Sequence, residues 1–184
     1  MIKVFDNLFS EVEKDQLERE FTQNFPWFLS TSENHRSVEQ HIYEKHKDEN
    51  TIENATLTNF LFIDKKQNSP YFGEAAKILE QFSIRTNTQI HRLHRIKANL
   101  DLRSTRTEDQ HTTRHIDGDY AHLVMIYYVN NSDGCTILFD QDKRITHRVV
   151  PVRGNCLVFP GNIYHAAQPP TKNPARIVIN FNFS

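Results

Sequence analysis

Apolar positions in this chain recur every third or fourth residue ahead of about residue 90 and every second residue after it. Early in the chain, Ser10 and Glu13 have the spacing of a capping box, in which each side chain satisfies an orphan backbone donor of the other. That predicts a helix over 11–24 with Leu17 and Phe21 on its apolar stripe. Pro26 then turns the chain into FPWFLS, an expected edge strand or core plug. Residues 33–54 are almost entirely polar, carry His35, His41 and His46, and read as an exposed insertion. TLTNFLFI, 56–63, leans to strand on its β-branched and aromatic content. Ser69 and Pro70 mark a second helix start, since proline's missing donor is harmless in a first turn, and Phe72, Ala76, Leu79 and Phe82 share its predicted face.

From Ile96 the pattern alternates strictly: Ile96, Ala98, Leu100 and Leu102 face one way, and Lys97, Asn99, Asp101 and Arg103 the other. Five further runs, AHLVMIYYV, CTILF, RITHRVV, NCLVF and ARIVINFNF, are separated by Asn, Asp, Gly and Pro punctuation. Two helices before a strand-rich half predict a mainly β, α+β fold: an antiparallel sandwich or jelly roll with the helices packed on one sheet. With no internal repeat and no linker, residues 1–184 are expected to form one domain, 1–89 giving the N-terminal helices and insertion and 90–184 the β core.

Composition narrows the function classes. A net charge of −1 with interspersed acids and bases gives no electrostatic footprint for nucleic acid, and no apolar run is long enough to span a bilayer. Cys135 and Cys156 share no CxxC spacing, and the first residues lack the apolar region of a signal peptide, so a soluble, reducing, cytoplasmic setting is expected.

The chemistry concentrates in HTTRHIDGDY, 111–120. His115 and Asp117 are two apart, so on extended backbone both project to the same side, within reach of one ion. Alone the pair is a weak motif, equally readable as a loop histidine bonded to an acid, with His111 and Asp119 as alternative ligands. His165 stands 50 residues on, and Arg176 lies 11 beyond it at the start of the last strand. Two histidines and one carboxylate are the facial ligand set of non-haem Fe(II) oxygenases, which leaves open positions for a 2-oxo acid and dioxygen. A 2-oxoglutarate tail needs a planar, always-charged partner some way from the metal, which arginine supplies better than lysine. On the last strand Arg176 shares a face with Val178, Asn180 and Asn182; its bland alternatives are covering apolar surface or pairing with Asp140.

The order RHID, MIYYVN, NIYHAAQ, ARIVINFNF resembles the 2-oxoglutarate and Fe(II)-dependent oxygenases of the prolyl 4-hydroxylase-like group. KANL, YYVN and VINFN look most like its small single-domain members carried by bacteriophages and marine bacteria, and the similarity spans about residues 90–183. The resemblance implies a double-stranded β-helix in which His115, Asp117 and His165 hold Fe(II) and Arg176 holds the distal carboxylate of 2-oxoglutarate. It also implies that the Tyr128 hydroxyl shares that carboxylate and that Asn99 and Asn182 line the same pocket, with O2 as second co-substrate and ascorbate as an accessory reductant. The hydroxylated substrate, a peptide or a small metabolite, stays open; Arg103, Arg106 and Arg114 near the expected mouth hint at an acidic group on it.

Three positions depart from the group. Leu100 or Asp101 stands where many relatives have tyrosine, Val178 where a small hydroxyl residue is usual, and Gly134-Cys135 where Gly-Gly is usual. Two rival readings keep the scaffold: a cupin-like divalent-metal enzyme that performs no oxidation, and a non-enzymatic jelly-roll binding module.

Overall fold

The capping box forms as spaced: the Ser10 hydroxyl accepts from the Glu13 backbone N–H, and the Ser10 N–H donates to the Glu13 carboxylate at 2.7 Å. In this computed structural model, which describes residues 2–6, 8–30 and 47–184, helix α1 spans Glu11–Arg19 and widens into a π-helical turn over Glu20–Asn24. There the Thr22 hydroxyl donates to the Glu18 carbonyl four residues back, a bond that competes with the regular ladder. Leu17 and Phe21 are buried as expected. Helix α2, Phe72–Thr86, starts two residues after Pro70 and ends on Asn87 in the left-handed conformation. Its buried row is Ala75, Ile78, Leu79 and Phe82, the i, i+3, i+4, i+7 set, rather than one containing Ala76.

The strands are β1 (Lys3–Phe5), β2 (Phe28–Ser30), β3 (Thr56–Ile63), β4 (Lys66–Gln67), β5 (Leu93–Leu102), β6 (Leu123–Tyr128), β7 (Thr136–Phe139), β8 (Ile145–Val149), β9 (Cys156–Pro160), β10 (His165–Ala167) and β11 (Ala175–Phe183). An eight-stranded antiparallel sheet runs β1-β9-β6-β11-β5-β3-β2, with β4 on β3, and a three-stranded sheet runs β10-β7-β8. FPWFLS supplies edge strand β2, with Phe25 and Trp27 as the plug beside it. The N-terminal half therefore gives more than helices and an insertion, since β1 to β4 all join the large sheet. Residues 31–46, which include the insertion's 33–46 with His35, His41 and His46, lie outside the described residues. Residues 47–54 are tied to the core: His111 donates to Asn50 O, Ile52 donates to His111 O, and Asp48 pairs with the buried Arg114.

Period two in the strands builds two layers on the large sheet. Ile96, Ala98 and Leu100 of β5 and Ile177, Ile179, Phe181 and Phe183 of β11 share the main core with Phe21, Ile78 and Phe82 from the helices. Each fully buried Phe there stabilises by roughly 1.5–3 kcal/mol. Leu102, expected in that row, is 46% exposed because β5 ends on it. On the opposite face, Arg176 lies across from Asp101, Val178 from Asn99 and Asn180 from Lys97, with Thr56 and Thr58 of β3 beyond Asp101 and Asn99, so the polar rows of β11, β5 and β3 share the face towards the small sheet. Between the sheets a second apolar cluster of Val124, Ile126, Tyr128, Leu138, Leu157, Phe159 and Val178 closes one end, and a cavity of about 670 Å³ fills the other.

The loop that delivers β11 is held by one carboxylate. Asp133 accepts from the Thr171 N–H at 2.9 Å, the Thr171 hydroxyl at 2.7 Å, Lys172 N at 3.1 Å and Asn173 N at 3.0 Å. Partial burial works to raise its pKa, and the four donors outweigh it, leaving the carboxyl well below the usual range. A depressed carboxyl pKa contributes stability at neutral pH that is lost as pH falls below about 4 and through the folded-state value. Asp133→Ala is expected to lower unfolding free energy by about 2 kcal/mol in urea at pH 7 and to flatten the acid limb of the stability curve. An unchanged midpoint would mean that water replaces the carboxylate at no cost.

Candidate active site

Strand β10, too short to be legible in the sequence, brings the two distant histidines together. His115 and His165 exchange both backbone hydrogen bonds at 2.9 Å in an isolated antiparallel bridge, and their rings stand 4.5 Å apart. Asp117, two residues on from His115, completes the set: its Oδ1 is 3.6 Å from His115 Nε2 and 3.8 Å from His165 Nε2. One donor atom from each of the three lies within 4.8 Å of the others, and no other such group occurs among the described residues. His111 stays out of it, buried against Phe139 with its Nδ1 on Thr112 O, and Asp119 lines only the cavity wall.

Protonation suits cation binding. His115 Nδ1 sits 3.1 Å from Thr113 O and His165 Nδ1 3.2 Å from Ile163 O. A carbonyl only accepts, so both Nδ1 atoms carry the proton and both Nε2 lone pairs face Asp117. Burial, with His165 adjoining, pushes His115 down to about 4, and burial also lowers His165. Both rings are neutral at pH 7. Burial works to raise the Asp117 pKa, but Arg95 and the two histidines hold it far below the usual carboxylate range, so it is ionised.

Two neighbours that the sequence reading did not single out fix that carboxylate. Asn180 Nδ2 donates to Asp117 Oδ2 at 2.7 Å, and Arg95 Nη2 lies 2.7 Å from Oδ1. Both were in principle legible, Arg95 as the next member of the polar row of β5 and Asn180 as the residue between Arg176 and Asn182 on β11. Asn182 is fully buried behind the acid rather than on the cavity wall; turned to donate, its amide nitrogen is 3.1 Å from Asp117 Oδ2. A hard, ionised carboxylate with two neutral imidazoles, converging at the end of a cavity, fits a divalent transition metal such as iron.

Arg176 lines the same cavity and is 2% exposed. Its Nε donates to Gly134 O at 3.0 Å, Nη1 to Asp101 Oδ2 at 3.0 Å and Nη2 to Thr136 Oγ1 at 2.8 Å, so Asp140 is not its partner. Asn99 lines the cavity. Tyr128 does not: its hydroxyl, pushed up to about 12 by burial, donates to Thr136 Oγ1 at 2.9 Å within the apolar cluster, and Thr136 is the residue at the cavity wall. Arg103, Arg106 and Arg114 are not on that wall either; its cationic residues are Lys47, Arg95, Lys97 and Arg176.

Gly134 explains one departure from the expected Gly-Gly. A Cβ there would meet the Gln168 carbonyl at 2.3 Å and Arg176 Cδ at 3.1 Å, whereas the next position accommodates Cys135. Gly134→Ala is expected to cost about 1–3 kcal/mol in thermal or urea unfolding and to displace Arg176. Wild-type stability in that variant would show that the backbone yields freely.

The sequence model of the 2OG-Fe(II) oxygenase superfamily matches residues 101–184, which contain all three donors and Arg176. No curated protein matches by sequence. Among solved structures, an oxidoreductase of the 2OG-Fe(II) oxygenase family from Burkholderia pseudomallei superposes with a TM-score of 0.68 at 13% identity, covering 100% of this chain and 84% of that one. A prolyl hydroxylase from Trichoplax adhaerens, in complex with a hypoxia-inducible-factor oxygen degradation domain peptide, gives 0.63 at 14% identity over 99% and 82%. A non-haem α-ketoglutarate-dependent epimerase of nogalamycin biosynthesis gives 0.61 at 11% over 99% and 77%. At these identities the likeness is one of fold, the double-stranded β-helix. Residues 101–184, which carry the donor trio and Arg176, are a 2OG-Fe(II) oxygenase superfamily domain.

Proposed function

We propose that the chain is a single-domain hydroxylase in which His115, Asp117 and His165 hold Fe(II), Arg176 anchors the distal carboxylate of 2-oxoglutarate, and Asn99 flanks that co-substrate. The observation that carries this reading is that the donor trio and the arginine line one cavity. Arg176 and Asn180, which bonds Asp117, are four residues apart on β11, about 13 Å along an extended strand. A five-carbon diacid reaching from the ion towards an arginine side chain suits that separation.

When bound, iron and 2-oxoglutarate would supply the oxidative chemistry together with O2: one oxygen atom would go to the succinate formed as the 2-oxo acid loses carbon dioxide, and the other to a substrate C–H bond. The residues supply the rest. Thr113 O and Ile163 O hold the two imidazoles as acceptors, while Asn180 fixes one Asp117 oxygen and Arg95 pairs with the other, which faces the histidines. Gly134 O and Thr136 Oγ1 orient the Arg176 fork. Ile126 and Val178 give that end of the cavity apolar walls, which strengthens charge pairing there by excluding water.

Beyond these groups the cavity is bounded by Ile52, Asn54, Thr58 and Lys97, and this part receives the substrate, a polar peptide residue or small metabolite. A peptide is supported by the prolyl hydroxylase likeness, whereas the epimerase likeness shows that the scaffold also serves small molecules. No described helix is long and apolar enough to cross a membrane, and two free cysteines suit the cytoplasm. The superfamily match favours the oxygenase over the cupin-like enzyme and the binding module. Anaerobic addition of Fe(II) and 2-oxoglutarate tests the reading: a visible metal-to-ligand charge-transfer band is expected, and its absence at saturating concentrations would overturn chelation at this site.

A further inference from the structure

The Arg176 guanidinium already has a carboxylate partner. Asp101, 3% exposed and directly across the β5–β11 ladder, takes Nη1 at 3.0 Å through Oδ2, and its Oδ1 accepts from the Thr56 hydroxyl at 3.0 Å. Guanidinium has five N–H donors. Gly134 O, Asp101 and Thr136 take three, which leaves two for a ligand in the cavity. We propose that Asp101 is an internal counter-ion that competes with 2-oxoglutarate for Arg176, stabilising the empty protein and weakening its hold on the co-substrate.

This rests on the reading of Arg176 as the carboxylate anchor. Two acceptors other than Asp101 already define the plane of the fork: Gly134 O at Nε and Thr136 Oγ1 at Nη2. Orientation therefore survives without the acid. Thr136 Oγ1 accepts from both Tyr128 and Arg176, so its own proton is left to donate elsewhere. A ligand carboxylate arriving at the two remaining N–H groups shares one guanidinium with Asp101, and two like charges a few ångströms apart in a poorly solvated site repel. The empty protein has the opposite need, because a buried arginine without a counter-ion is costly.

Asp101→Asn separates the two effects. An asparagine has the same shape: its carbonyl accepts from Nη1 and its amide donates to the Thr56 hydroxyl, so only the charge is lost. A purely positioning role for Asp101 predicts that stability and 2-oxoglutarate affinity fall together. Competition predicts opposite signs.

The experiment titrates 2-oxoglutarate calorimetrically into anaerobic Fe(II)-loaded wild type, Asp101→Asn and Asp101→Ser, and measures thermal unfolding of the metal-free proteins with and without it. Both variants are expected to bind 2-oxoglutarate about 10-fold more tightly, which is about 1.4 kcal/mol, to melt lower when empty and to gain more from the ligand. Equal or weaker binding overturns the proposal, as does failure of both variants to fold even with 2-oxoglutarate present, since Asp101 would then not be exchangeable with the ligand. The double variant Asp101→Asn/Arg176→Met, which removes both charges, serves as the reference. If it binds 2-oxoglutarate like wild type, the anchor reading itself fails; if it binds poorly while Asp101→Asn shows no gain, only the competition fails.

Discussion

His115→Ala abolishes succinate formation and weakens Fe(II) binding by about 100-fold or more. Loss of groups that merely orient metal ligands already costs 10–100-fold, and His115 supplies a donor atom itself. Its imidazole is 3.6 Å from Asp117 Oδ1 with Nδ1 committed to Thr113 O, and the trio it belongs to is the one such donor group among the described residues. The fold should survive, because the bridge to His165 runs through backbone groups that alanine keeps. Competition with a chromophoric chelator under argon reads the affinity, and circular dichroism checks the fold. His111→Ala is the control: His111 packs on Phe139 away from the trio, so its loss is expected to leave Fe(II) affinity within about two-fold of wild type. Retained affinity and turnover in His115→Ala, or loss of both in His111→Ala, would reassign the ligand.

The parts of this site that were legible in the sequence are those governed by period two. Once ARIVINFNF was read as a strand, the common face of Arg176, Asn180 and Asn182 followed, and so did the common side of His115 and Asp117. Short elements escaped because three residues carry no period: periodicity alone does not say that residue 165 must meet residue 115, and that pairing came only from the resemblance. Partnerships across a ladder escaped for a different reason. That Arg176 meets Asp101 depends on register, and register is set by the whole set of paired strands. Tyr128 came from the resemblance alone, and its hydroxyl bonds Thr136, the residue at the cavity wall. The insertion read as exposed, yet most of 47–54 is half-buried, and Asp48 is spent on Arg114, a long-range pair with no local signature.

Arg176→Ala is expected to raise the dissociation constant for 2-oxoglutarate about 30-fold or more. Truncating one member of a desolvated charge pair typically costs ~2–5 kcal/mol, and the lower bound of that range corresponds to this factor. The loss should appear mainly as a raised KM for 2-oxoglutarate with much of kcat recovered at saturation, since the donor trio is untouched and the arginine meets the end of the co-substrate remote from the reacting carbon. Arg176→Lys should fall between, because an ammonium keeps the charge but cannot bridge Gly134 O, Thr136 and a carboxylate in one plane. Alanine also strands Asp101 in a buried site, so the variant's melting temperature must be measured beside its affinity. A folded Arg176→Ala protein with a wild-type titration curve would remove Arg176 from the pocket and leave Lys97 as the next cation along the cavity wall to test.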